Sequence, residues 1–100
     1  LSVGAMGVIS VVANVVPRKV HEMVAAYLAG GLKEARKLHY ELFELSKILF
    51  VETNPIPVKT ALALMGMITG ELRLPLCEMK AENKEELIRV LKQSVKRGRL

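Results

Sequence analysis

The first sixteen positions carry no charge, and all 15 Lys+Arg and all 10 Asp+Glu residues follow Pro17. Leu1, Val3, Ala5, Met6, Val8, Ile9, Val11, Val12, Ala13, Val15 and Val16 make this segment apolar, with Gly4, Gly7, Ser10 and Asn14 interrupting it. A transmembrane helix needs about 20 consecutive apolar residues, so the run is too short and too broken to span a bilayer. A secretory leader carries its basic residues before the apolar stretch, whereas Arg18 and Lys19 come after it. What remains is a short β-branched run bounded by glycine and proline, the pattern of a strand buried on both faces as in parallel sheets. The core of that strand is expected at residues 8–12.

Past Pro17 the apolar period becomes helical. Val20, Val24, Tyr27 and Leu28 share one face of a first helix, which Gly30 and Gly31 stop. Ala35, Leu38, Leu42, Leu45 and Leu49 form the stripe of a second, long helix, while Phe43, Phe50 and Val51 widen its apolar surface towards a second contact. The run Asn54-Pro55-Ile56-Pro57 must break that helix, because proline lacks the backbone donor and pushes its predecessor out of the α region. Pro57 suits the first turn of a third helix through Ala61, Leu62, Leu64, Met65 and Ile68, apolar nearly all round and ending at Gly70. Asn83 with Glu86 three residues on reads as a capping box that opens a fourth helix bearing Leu87, Ile88, Leu91 and Val95. The expected fold class is therefore mainly α, about four helices after one short apolar strand.

Chain length restricts what this pattern can bury. At 100 residues, 51% of them hydrophobic and with a mean hydropathy of +0.29, a chain buries only about two-thirds of its unfolded surface, so apolar surface is left uncovered. The net charge of +5 is modest and gathers at Lys92, Lys96, Arg97 and Arg99. A nucleic-acid module would interleave aromatics with such a patch, but Tyr27, Tyr40, Phe43 and Phe50 lie elsewhere, at helical positions. Neither nucleic acid nor a membrane is expected as a partner.

Few residues are arranged for chemistry. His21 and His39 have no Cys, His or Asp at ligand spacing, so no metal is expected, and the glycines form no dinucleotide or phosphate fingerprint, so no cofactor is expected either. Cys77 is alone, which rules out an internal disulfide and fits a reducing, cytoplasmic location; it reads as a buried small hydrophobe. Glu34, Glu41, Glu44, Glu85 and Glu86 alternate with cations at helical spacing, the pattern of a solvated face. A lysine nucleophile needs burial or a neighbouring cation to free its amine. Only Lys59, two residues after Pro57, adjoins a loop able to line a pocket. No catalytic residue is expected.

Two segments nevertheless form a recognisable pair: Gly4-Ala5-Met6-Gly7-Val8-Ile9-Ser10-Val11 with Asn14-Val15, and Leu49-Phe50-Val51-Glu52-Thr53-Asn54-Pro55-Ile56-Pro57-Val58-Lys59. Together with Leu72-Arg73-Leu74-Pro75-Leu76 they resemble the dihydrodipicolinate synthase family, within the wider pyruvate-dependent aldolases and lyases. The resemblance implies the last third of a (β/α)₈ barrel enzyme. Residues 1–30 would be the final barrel strand and its helix, and residues 31–100 the helical domain that follows. The family condenses pyruvate with aspartate semialdehyde, on the route to lysine, through a Schiff base on a lysine of the sixth strand. Neither that strand nor the proton-relaying tyrosine falls within these residues, so the chain is expected to be inactive alone. Two substrate-binding positions carry over: Ile9 as the last-strand isoleucine whose carbonyl borders the pyruvate pocket, and Asn54 as the asparagine of the loop approaching the barrel mouth. The expected partners are further copies of the chain or the remainder of the barrel, with pyruvate bound only if the barrel is completed. A helical oligomerisation protein derived from the enzyme's tail is the alternative expectation.

Overall fold

The computed structural model describes residues 1–95, which form four α-helices: α1 (Pro17–Leu28), α2 (Leu32–Ile48), α3 (Ile56–Leu64) and α4 (Ala81–Ser94). Lys96, Arg97 and Arg99 of the basic terminus lie outside the described residues. α1 starts at Pro17, whose fixed φ is ready for a helix and whose missing N–H has no intrahelical acceptor to lose there. It ends where expected. Gly30, at φ +84°, donates to the Tyr27 carbonyl and Gly31 to the Ala26 carbonyl, the double bond of a Schellman turn. Only three residues separate α1 from α2, so the two pack as a helical hairpin.

The core follows the α2 stripe. Leu42, Leu45, Ile48 and Leu49 are buried with Leu87, Val90, Leu91 and Val95 of α4 and its end, and with Ile56, Val58 and Ala61 of α3. Leu45, Leu49, Leu87 and Leu91 have essentially no exposed surface. Such spacing explains why α2 is a helix at all, since its three- and four-residue steps bring Ala35, Leu38, Leu42, Leu45 and Ile48 to one buried face.

Five expectations are corrected. Residues 8–12 make no strand, because a strand satisfies its backbone only against another and no extended partner exists among the described residues. Val8 and Ile9 are exposed, so this stretch is not buried on both faces; of the run, Val12 and Val15 reach the core. The chain instead tightens into a 3₁₀ turn at Val12–Asn14. Ser10 Oγ accepts from the Ala13 N–H at 3.3 Å and Asn14 Nδ2 donates to the Val11 carbonyl at 3.0 Å.

α3 is shorter than its apolar run suggests. Gly66, at φ +74°, takes the left-handed position, donating to Ala63 while Met67 donates to Leu62, so Ile68 falls in the following loop and Gly70 does not end the helix. The capping box is absent as well: α4 begins at Ala81 with Lys80 as its cap residue, Asn83 bonds elsewhere, and Glu86 pairs with Arg89. Cys77 is exposed. In the connection between α3 and α4, Leu72 and Leu76 pack on the core and Met79 lies within it, which turns Cys77 outward.

The second contact anticipated for α2 does not form among the described residues. Tyr40, Phe43, Phe50 and Val51 are exposed, with Lys47 Nζ 5.3 Å from the Phe43 ring centre and His39 edge-on to Tyr40 at 5.4 Å between ring centres.

Candidate functional site

Ile9 and Asn54 sit on segments that the fold brings next to each other. The 3₁₀ turn three residues after Ile9 packs on α3, which begins two residues after Asn54; Val12 and Val15 share the core with Ile56 and Val58. The Ile9 side chain is fully exposed, at 106% of its reference area, and no backbone hydrogen bond among the described residues involves it. An unpaired carbonyl here is free to face a ligand or a neighbouring strand.

Asn54 is exposed on the loop between α2 and α3. Its peptide bond to Pro55 is cis. Around it the backbone is held tightly: Ile56 N–H donates to the Thr53 carbonyl at 2.9 Å and Lys59 N–H to the Pro55 carbonyl at 3.0 Å. Pro55, not Asn54, is the cap residue of α3, and no side chain caps that end. The Asn54 amide is thus not used by the helix beneath it.

Lys59 lies in the first turn of α3, half-buried, and its Nζ donates to the backbone carbonyl of Glu71. An open cleft of ≈ 350 Å³ runs past it, lined by Ile68, Thr69, Gly70, Glu71 and Arg73. This bond ties Lys59 to the loop that follows α3. His21 and His39 are both exposed, and among the described residues no three His, Cys, Asp or Glu side chains gather as metal ligands.

Sequence reasoning left Glu52 without a role, yet it is the best-connected polar group near Asn54. Its Oε2 accepts from the backbone N–H of Lys80 at 3.0 Å and from Asn83 Nδ2 at 2.9 Å, reaching across to the start of α4. One signal was present: an acid just past a helix C-terminus opposes the helix dipole, and such a placement asks for a partner elsewhere.

A larger cleft of ≈ 740 Å³ opens between α1 and α2, with Leu1, Val8, Met23, Tyr27, Leu32 and His39 on its walls. Val3, Met6, Val8 and Ile9 expose 94%, 80%, 56% and 106% of their reference areas, so the uncharged segment and this cleft form one largely uncovered apolar side of the molecule.

The sequence model of the Dihydrodipicolinate synthetase family matches residues 1–94. This chain belongs to that family. A 4-hydroxy-tetrahydrodipicolinate synthase of Hydrogenobaculum sp. is 55% identical over 93 residues, which is 93% of this chain and 32% of the relative. The enzyme of the same name from Methanocaldococcus jannaschii is 59% identical over 92 residues, 92% of this chain and 32% of its own length. The crystal structure of dihydrodipicolinate synthase from Aquifex aeolicus superposes with a TM-score of 0.90 at 54% identity, covering 92% of this chain and 31% of that one. The chain therefore spans about one third of the length of the family members it matches. Its four helices are those of a dihydrodipicolinate synthetase family member, and no helix among the described residues is long and apolar enough to cross a membrane.

Proposed function

We propose that this chain is the C-terminal third of a dihydrodipicolinate synthase-type lyase and acts only with the remainder of the barrel, as one wall of a site that condenses pyruvate with aspartate semialdehyde. The observation that carries this reading is the share of its relatives that the chain spans, 32%, together with the uncovered side formed by Val3, Met6, Val8 and Ile9. A strand that closes a barrel pairs on both sides, and residues 8–12 have neither neighbour among the described residues.

In the completed barrel the first two-thirds supplies the chemistry: a lysine amine adds to the pyruvate carbonyl and water leaves, giving the imine. This chain contributes position. The Ile9 carbonyl borders the pyruvate pocket at the C-terminal end of the last strand, where barrel active sites gather, and Asn54 reaches the mouth from the helical domain. Residues 1–30 belong to the barrel and residues 31–100 to that domain. A cytoplasmic location goes with the same reading.

Alone, the chain is inactive in this reading, because the strand carrying the family's Schiff-base lysine is not among its residues; Lys59, which lines a cleft, donates to the Glu71 carbonyl. Intact mass after incubation with pyruvate and borohydride tests this directly, because borohydride makes any imine permanent. No adduct is expected on this chain, and an adduct is expected on the complementary barrel polypeptide when the two are produced together. A stoichiometric adduct on this chain by itself, mapped to Lys59, overturns the proposal.

A second reading has its own observation. The exposed Tyr40 and Phe43 on α2 and Phe50 just past its end, added to the apolar side at residues 1–10, suit a helical oligomerisation protein derived from the enzyme's tail. Light scattering separates the two readings: assembly of this chain that persists unchanged when the complementary polypeptide is added favours the second, and its replacement by a mixed complex favours the first.

A further inference from the structure

Glu52 lies between two parts of the molecule that the sequence keeps 28 residues apart, the Asn54 loop and the N-terminus of α4. A helix begins with N–H groups that have no partner inside the helix, and a carboxylate placed there both accepts those protons and complements the dipole. α4 has no side-chain cap of its own: Lys80 occupies the cap position at φ −59°, ψ 140°, and offers no acceptor. The Lys80 N–H lies before the first helical residue, so Glu52 Oε2 at 3.0 Å is its one acceptor, and Asn83 Nδ2, in the first turn of the helix, donates to the same oxygen at 2.9 Å. Glu52 and Asn83 are both half-buried, which holds this junction partly away from water. Glu52 in turn is two residues from Asn54 on a stretch already tied by the Ile56–Thr53 bond.

We propose that Glu52 is the positioning residue of the Asn54 loop, clamping the start of that loop to the first turn of α4, so that where Asn54 points depends on α4 being docked. The inference rests on Asn54 facing the barrel mouth for its functional meaning, but the clamp itself is a property of this chain and is measured without substrate.

Amide hydrogen exchange on the 100-residue chain tests it, with Glu52→Ala and Glu52→Gln beside the parent and circular dichroism as the check on folding. Because Glu52 is the acceptor for Lys80, protection of the Lys80 amide should fall about tenfold or more in Glu52→Ala, in line with the loss of a charge-assisted hydrogen bond. The Thr53 and Asn54 resonances should shift in the same variant while protection at Leu45 and Leu49 in the core holds. Glu52→Gln keeps an acceptor oxygen and should restore most of the Lys80 protection and the parent positions of Thr53 and Asn54. Loss at Lys80 with Thr53 and Asn54 unmoved would show a cap that positions nothing, and overturns the proposal; so does unchanged Lys80 protection. If Glu52→Ala does not fold, the glutamine variant decides alone: parent-like Lys80, Thr53 and Asn54 support the clamp, and unprotected Lys80 in a folded chain sinks it. A chain that passes this test yet contributes nothing to pyruvate binding in the completed barrel would leave the clamp standing and remove the reading of Asn54.

Discussion

Residues 1–10 and the α2–α4 core are both rich in aliphatic side chains, and they fare oppositely. In the interiors of α2 and α4, each backbone group is satisfied four residues away, so those segments need little more than one covered face and partners for their ends. Leu45 and Leu91 are buried to the last atom. In the first ten residues the backbone has no such local solution, and Ile9 stands in solvent although it is as apolar as any residue of the core. Hydrophobicity marks what is to be buried; whether it can be buried within one chain depends on where the hydrogen-bond partners are.

The largest test of this contrast is a matched pair of truncations. Leu45→Ala empties a fully enclosed site and should cost about 2–5 kcal/mol in urea unfolding, whereas Ile9→Ala should stay within about 0.5 kcal/mol. Equal losses would mean that residues 1–10 are packed in solution and would end the comparison. Next comes Gly66→Ala, which forces a side chain into φ +74° at the end of α3 and should destabilise by about 1 kcal/mol, read as a lowered Tm.

Ile9→Lys sharpens the other side of the comparison. It should leave the thermal midpoint close to the parent's yet reduce self-association seen by light scattering at micromolar concentration, since a charge on an exposed apolar edge opposes pairing. The smallest effect belongs to the Glu86–Arg89 pair on α4. The hydrogen bond from Arg89 holds the Glu86 carboxyl below its ordinary value of 4.5, and the same bond raises Arg89. A lowered carboxyl stabilises the fold above its unfolded value and loses that contribution as pH falls through the folded value. The difference in stability between the parent and Arg89→Ala should therefore be present at pH 7 and shrink as pH falls below 4.5 and through the lowered folded value; both side chains are exposed, so solvent screening keeps it small.

Much of the fold was legible from residue spacing. The α2 stripe and the start of α1 at Pro17 with its stop at Gly30 stand as read, because each is set by contacts within a few residues, whereas α2 ends at Ile48, ahead of the Asn54-Pro55-Ile56-Pro57 run expected to break it. The misreadings share a different cause. Asn83 and Glu86 have the spacing of a capping box, but Glu52 lies close enough to take Asn83, and Arg89 takes Glu86. Gly70 looked like the helix stop because the apolar run reaches Ile68, yet Gly66 came first and both N–H bonds of the turn were available there. Of the candidate site, the positions of Ile9 and Asn54 came from a resemblance, and their surroundings from the fold.

By itself, then, the sequence determined the helices, their order and the family, since periodicity, proline and glycine act locally and the motifs are strings of neighbours. Only the tertiary structure decided which carboxylate accepts from the start of α4, which way Cys77 faces, and that residues 8–12 find no sheet to join among the described residues. Those outcomes depend on which groups meet across dozens of residues, and hydrogen-bond partners that distant leave no period in the chain to read.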